Sequence, residues 1–161
     1  MSKAHTFVTG IDMGFKLDFS ELKKFQSQMQ ITQNEFNDFL RDLLLEMANR
    51  IITKTKKKQL GQVSEQYTAF DTKTMARAWT LGNIEGSGEN ISVELLNNTE
   101  YATEIEYGHR IMGGAGKNTE VGWYNGRFML KTSIDEIDRQ MPLRYKKAFE
   151  KFCNERGLNV N

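Results

Sequence analysis

The chain has 161 residues, of which 39% are hydrophobic and 27% charged, and its 22 basic and 21 acidic residues leave a net charge of +1. A single domain of this length buries a real but modest core, and the near-neutral balance excludes the cation surplus that electrostatic nucleic-acid binding needs. No window approaches eighteen consecutive apolar residues, so no membrane-spanning helix is expected. The lone Cys153 excludes an internal disulfide and reads as a packing thiol made in a reducing compartment.

The first residues, Met1 to Thr6, lack the apolar core of a signal peptide, so synthesis without export is expected. Residues 1–17 read as an extended arm punctuated by Gly10 and Gly14, with Phe7, Ile11, Phe15 and Leu17 available to add an edge strand or to dock on a neighbouring subunit. Residues 18–60 read as helical. Asp18 or Ser20 can cap a short helix over 20–30, and Thr32-Gln33-Asn34-Glu35 is a capping box. Beyond it Phe36, Phe39, Leu40, Leu43, Leu44, Met47 and Ile51 recur at steps of three and four, which places them on one helix face. The helix is expected to reach about Lys58, a rod of roughly 40 Å.

Residues 61–74 read as a connection. Over 75–97, Met75, Arg77, Trp79 and Leu81 alternate with small or polar residues, as do Ile91, Val93 and Leu95, around the turn sequence Glu85-Gly86-Ser87-Gly88. Two period-two runs about such a turn predict a β-hairpin. Tyr101 and Ile105, four apart, predict a short helical turn over 99–108 that Gly108 can end. Residues 109–127 carry Gly113, Gly114, Gly116, Gly122 and Gly126 and read as a long flexible loop, in which Trp123 and Tyr124 want something to bind. The last helix, over 128–156, is expected to begin at a second capping box, Ser133-Ile134-Asp135-Glu136. Ile134, Ile137, Met141, Tyr145, Ala148, Phe149 and Phe152 form its apolar stripe, Pro142 should kink or restart it, and Gly157 should stop it. The sum is an α+β domain: a long amphipathic helix and a C-terminal helix on a small antiparallel sheet, with a long Gly-rich loop.

No recognisable chemistry emerges. Gly113 to Thr119 lacks the leading glycine of a phosphate-binding loop and has Asn118 after Lys117 where Ser or Thr belongs. Gly86-Ser87-Gly88 fails the dinucleotide pattern, with Ile91 where the third glycine belongs. His109 lies near Glu104 and Glu106, but with only His5 besides it there is no zinc-ligand spacing and no nucleophile–base pair. No catalytic residue, metal or cofactor is expected, and an enzyme is the weakest reading. The run Lys54-Thr55-Lys56-Lys57-Lys58 reads as a solvated helix end favoured by the macrodipole, with an acidic subunit surface or DNA in a channel as its alternatives.

The segments Asn97-x-x-x-Tyr101-Ala102-x-x-Ile105-Glu106-Tyr107-Gly108-His109-Arg110 and Gly126-Arg127-Phe128-Met129-Leu130 carry a resemblance. Together with the order of elements over about residues 32 to 153, they resemble the neck or head–tail joining (tail-completion) proteins of tailed bacteriophages and phage-tail-like particles. The resemblance implies a non-enzymatic subunit made in the bacterial cytoplasm and incorporated in a virion or tail-like particle. It implies a homo-oligomer, a sixfold ring at the head-proximal end of the tail, with tail tube, tail terminator or connector as partners and DNA passing through the channel. Within that reading Glu106, His109, Arg110, Trp123, Tyr124 and Arg127 are the expected interface, with Tyr101, Ile105 and Tyr107 anchoring the turn on Trp79 and Leu95. The alternative is a DNA-contacting packaging accessory that uses Lys54 to Lys58.

Overall fold

Helix α1 (Gln33–Gln59) begins where the sequence places it. Thr32 is extended at the N-cap, its hydroxyl accepts from the Glu35 amide at 3.3 Å, and the Glu35 carboxylate accepts from the Thr32 amide at 3.1 Å. Of the expected stripe, Phe36, Leu40, Leu43, Leu44, Met47 and Ile51 are buried and Phe39 is half-buried. Each such side chain removed from water contributes about 1.5–3 kcal/mol before entropy is counted. This computed structural model describes residues 11–16, 31–61, 73–113 and 119–158. The start of the N-terminal arm and the helix expected over 20–30 lie outside the described residues.

The stripe of α1 covers a three-stranded antiparallel sheet in the order β1 (Ile11–Lys16), β3 (Ser92–Asn97), β2 (Trp79–Glu85). The N-terminal segment thus supplies the edge strand, with Met13 opposite Leu95 and Phe15 opposite Val93. In the central strand Val93, Leu95 and Asn97 face the core while Ser92, Glu94 and Leu96 are half-exposed, the alternation of a sheet with one dry face. The hairpin begins later than expected. Lys73–Arg77 is a short helix, α2, whose Met75 and Ala76 are buried, and the strand starts at Trp79. Asn97 decides this locally: its buried amide donates to the Met75 carbonyl at 2.8 Å and holds the helical turn against the end of β3.

After β3 come a short helix α3 (Ala102–Tyr107), a second hairpin β4 (Gly108–Gly113) and β5 (Thr119–Asn125), and the last helix α4 (Met129–Asn154). The stretch expected to be a flexible loop is therefore an antiparallel ladder, with only 114–118 between its strands outside the described residues. Helix α4 runs unbroken through Pro142, without the expected restart. Nor does it begin at a capping box: Ser133 is buried one turn inside, its hydroxyl donating to the Met129 carbonyl at 2.7 Å. Ile137, Met141, Phe149, Phe152 and Cys153 of α4 join the core. Burial raises the Cys153 thiol above its ordinary pKa, as suits a packing residue. Gly157 ends the helix in a Schellman closure, with the Leu158 amide donating to the Cys153 carbonyl at 3.0 Å.

Ion pairs at both ends fix α1 and α4 antiparallel. Lys54 and Lys58 near the C-terminus of α1 each reach Glu136 of the second turn of α4 at 2.7 Å. At the other end Arg156 lies 3.7 Å from Glu35 and over the Phe152 ring. The side-chain hydrogen bonds from Lys54 and Lys58 hold the Glu136 carboxyl below its ordinary range. Lys58 is only 2% exposed and also donates to Thr132, so this member of the basic run belongs to the interior rather than to a solvated face.

Candidate functional site

The signature residues form a clamp between α3 and the start of α4. Ala102 is fully buried, and Tyr101 and Ile105 are half-buried and pack against the hydrophobic core. Behind them the chain returns after the second hairpin and is tied back by backbone bonds, the Arg127 amide to the Ile105 carbonyl at 2.9 Å and the Phe128 amide to the Glu106 carbonyl at 3.0 Å. Phe128, at φ 49°, occupies the left-handed region that a non-glycine side chain enters only when the surroundings enforce it. It positions the next residues so that Glu106 accepts from the Leu130 and Lys131 amides at 3.1 and 3.0 Å. A helix N-terminus leaves amides unsatisfied and carries positive potential. Here a carboxylate from another element satisfies two of them, although its burial pushes the Glu106 carboxyl above its ordinary pKa.

Two glycines allow the clamp to close. Gly108 has φ +88°, and a β-carbon there would strike the Tyr124 carbonyl oxygen and sit 2.8 Å from the Gly126 amide nitrogen. A β-carbon on Gly126 would strike the Glu106 carbonyl oxygen and approach the Gly108 amide nitrogen to 2.7 Å. The two backbones touch at this point, and only hydrogen fits between them.

From that point the β4–β5 hairpin leaves the body as an arm, its main support being α3 at its base. His109 pairs with Tyr124, Arg110 with Trp123 and Ile111 with Gly122, so His109, Ile111 and Tyr124 share one face and Arg110, Met112 and Trp123 the other. Neither face is dry. All the exposed large hydrophobics among the described residues except Leu143 lie between Tyr107 and Phe128, with Trp123 at 52% and Val121 at 59%. The rings of His109 and Tyr124 stack with centroids 5.3 Å apart, and the His109 Nδ1 is buried without a hydrogen-bond partner. An isolated two-stranded hairpin is marginal in water, and apolar side chains concentrated on such an element mark a binding surface.

The sequence-predicted interface residues therefore divide. Trp123, Tyr124, His109 and Arg110 lie together on the arm, and Arg127 stands at its base with its side chain half-buried. Glu106 does not face outward as expected: it is fully buried and caps α4. Tyr107 is not an anchor on the first hairpin either; it is 38% exposed and meets Phe128 edge to face. Ile111, Met112 and Val121 are arm residues that sequence reasoning missed. Their signal was the alternation around Arg110 and Gly122, obscured by the glycines and by a register shift after Ile111.

Residues 23–108, more than half of the chain, match the family described as "Bacteriophage HK97-gp10, putative tail-component". The chain belongs to this HK97-gp10-like family of phage tail components. No curated protein and no solved structure matches it. The family match takes in α1, α2, the first hairpin and α3 and ends at Gly108, where the clamp meets the arm, so that β1 and α4 lie beyond it. Among the described residues there is no cluster of His, Cys, Asp and Glu that could hold a metal ion, and no helix long and apolar enough to cross a membrane.

Proposed function

We propose that this tail component is a non-enzymatic neck or tail-completion subunit that assembles as a sixfold ring at the head-proximal end of the tail. In this reading tube, terminator or connector proteins flank the ring and DNA passes through its channel. The observation that carries the reading is the arm. A hairpin with apolar side chains on both faces, clamped at its base and resting on no core of its own, suits burial between subunits. A ring requires unlike surfaces to meet around the axis, and an arm on one side of each copy supplies one of the two.

The packaging-accessory alternative draws less support. Lys54 and Lys58 of the basic run are both paired with Glu136, and Lys58 is buried, so two of its cations are already engaged within the chain. Immunogold labelling of a tagged copy in purified particles tests the ring reading. Label at the head-proximal end of the tail is expected, and label at the distal end or along the whole tube would overturn it.

A further inference from the structure

The second surface that a ring requires lies on the opposite end of the same chain. Between α1 and α4 runs an open groove of about 600 Å³. Phe39, Leu43, Met47 and Phe152 form its floor, Asp38 and Asp42 line its α1 wall, and Lys147 and Lys151 line its α4 wall. The floor is apolar, the α1 wall is acidic, and the α4 wall is basic on balance, with Glu155 lying 3.8 Å from Lys151.

We propose that the arm face bearing Arg110, Met112 and Trp123 docks in this groove on a second copy of the chain. The inference rests on the ring reading and names the contact that builds the ring. Trp123 stands directly across the ladder from Arg110. An indole seated on Phe39 and Phe152 therefore carries the guanidinium to a groove wall. The α1 wall attracts it through Asp38 and Asp42, and the α4 wall repels it through Lys147 and Lys151. Charge thus selects one of the two orientations that shape alone would allow, the usual contribution of charged groups at an interface.

Distance makes the occupant a neighbour. The arm leaves beside Met129 at the start of α4, whereas the groove lies around Lys147, eighteen residues further along the same helix. At 1.5 Å per residue that is about 27 Å. Arg110 and Trp123 lie only two residues from the base of the hairpin, about 7 Å along the strand. The arm cannot reach its own groove. One copy presents an arm at one end and a socket at the other, the head-to-tail arrangement that closes into rings or runs on as filaments.

Sedimentation velocity on the purified full chain tests the contact. The wild type is expected to self-associate at micromolar concentration. Arg110→Glu and Asp42→Arg are each expected to weaken that association at least about tenfold, with thermal melts unchanged. The double variant Arg110→Glu, Asp42→Arg restores the opposite-charge pair and should recover association. A wild type that stays monomeric, an unaffected Arg110→Glu, or a double variant no better than either single variant would overturn the proposal. Exclusion of arm variants from otherwise head-proximal rings, alongside failure of the charge swap, would remove the groove and leave the ring reading standing. Distal labelling of the particle would remove that reading whatever the swap gives.

Discussion

The chain contains two hairpins of similar length made for opposite ends. In the first, β2 and β3 pair beneath α1, Trp79, Val93 and Leu95 are buried, and the Trp79 indole donates to Gln59 at 3.0 Å. In the second, β4 and β5 pair just as regularly, yet Trp123 and Met112 are half in water, and among the described residues the main support is α3 at the base. Backbone hydrogen bonding is therefore not what separates a core element from an interaction element here. The first hairpin has its partner in its own chain, and on the proposed reading the second finds one in a neighbouring subunit.

Substitutions should break the two hairpins in different currencies. The largest effect is expected from Leu95→Asp, which buries an unpaired charge between the sheet and α1 and costs about 4 kcal/mol or more. Circular dichroism should find no cooperative transition at 37 °C, and a variant melting like the wild type would mean that Leu95 is not core. Next comes Gly108→Ala, which combines a positive φ with backbone contact at the clamp and should cost about 2 kcal/mol. Urea unfolding measures it, and an unchanged midpoint would show that the clamp tolerates a β-carbon.

Glu106 gives a smaller effect with a definite sign. Burial raises its pKa in the folded chain, against the pull of the Lys131 and Leu130 amides. A raised acid contributes stability below its unfolded pKa, about 4.3, and loses that contribution as pH climbs through the folded value. The wild type should therefore lose stability relative to Glu106→Gln as pH rises from about 4 towards neutrality. Parallel pH profiles of the two proteins would sink this account of the cap. Smallest in stability is Trp123→Ser on the second hairpin, expected to shift monomer unfolding by no more than about 0.5 kcal/mol while abolishing incorporation into particles. Particles carrying a full complement of this variant would end the distinction between the hairpins.

What was legible in the sequence follows the range of the interactions involved. The capping box at Thr32 and the stripe of α1 are settled within three or four residues, and both stand as read. The first hairpin was readable from its alternation, apart from Met75 to Arg77, whose helical turn depends on Asn97 twenty-two residues away. The second hairpin was hidden by composition. Glycines at 113, 122 and 126 argue for a loop locally, but Gly122 lies within strand β5 beside its register shift and Gly126 is small because Glu106 and Tyr107 lie against it. Ser133 shows the converse error, since a capping-box sequence inside a helix bonds to the preceding turn. Glu106 could not have been placed at all from its neighbours, because its partners are twenty-four and twenty-five residues further on. The family signature reads as a list of conspicuous residues until that clamp is seen.

The close approach of Gly108 and Gly126 makes the arm an exchangeable part. Its two ends enter and leave the body side by side, and the bonds that hold the joint, Arg127 to Ile105 and Phe128 to Glu106, all lie on the body side of it. Residues added or removed in matched pairs beyond Gly108 and Asn125 would alter the reach and chemistry of the arm without disturbing the cap on α4 or the packing of α1. On the ring reading, a subunit built this way changes its neighbour by changing one hairpin.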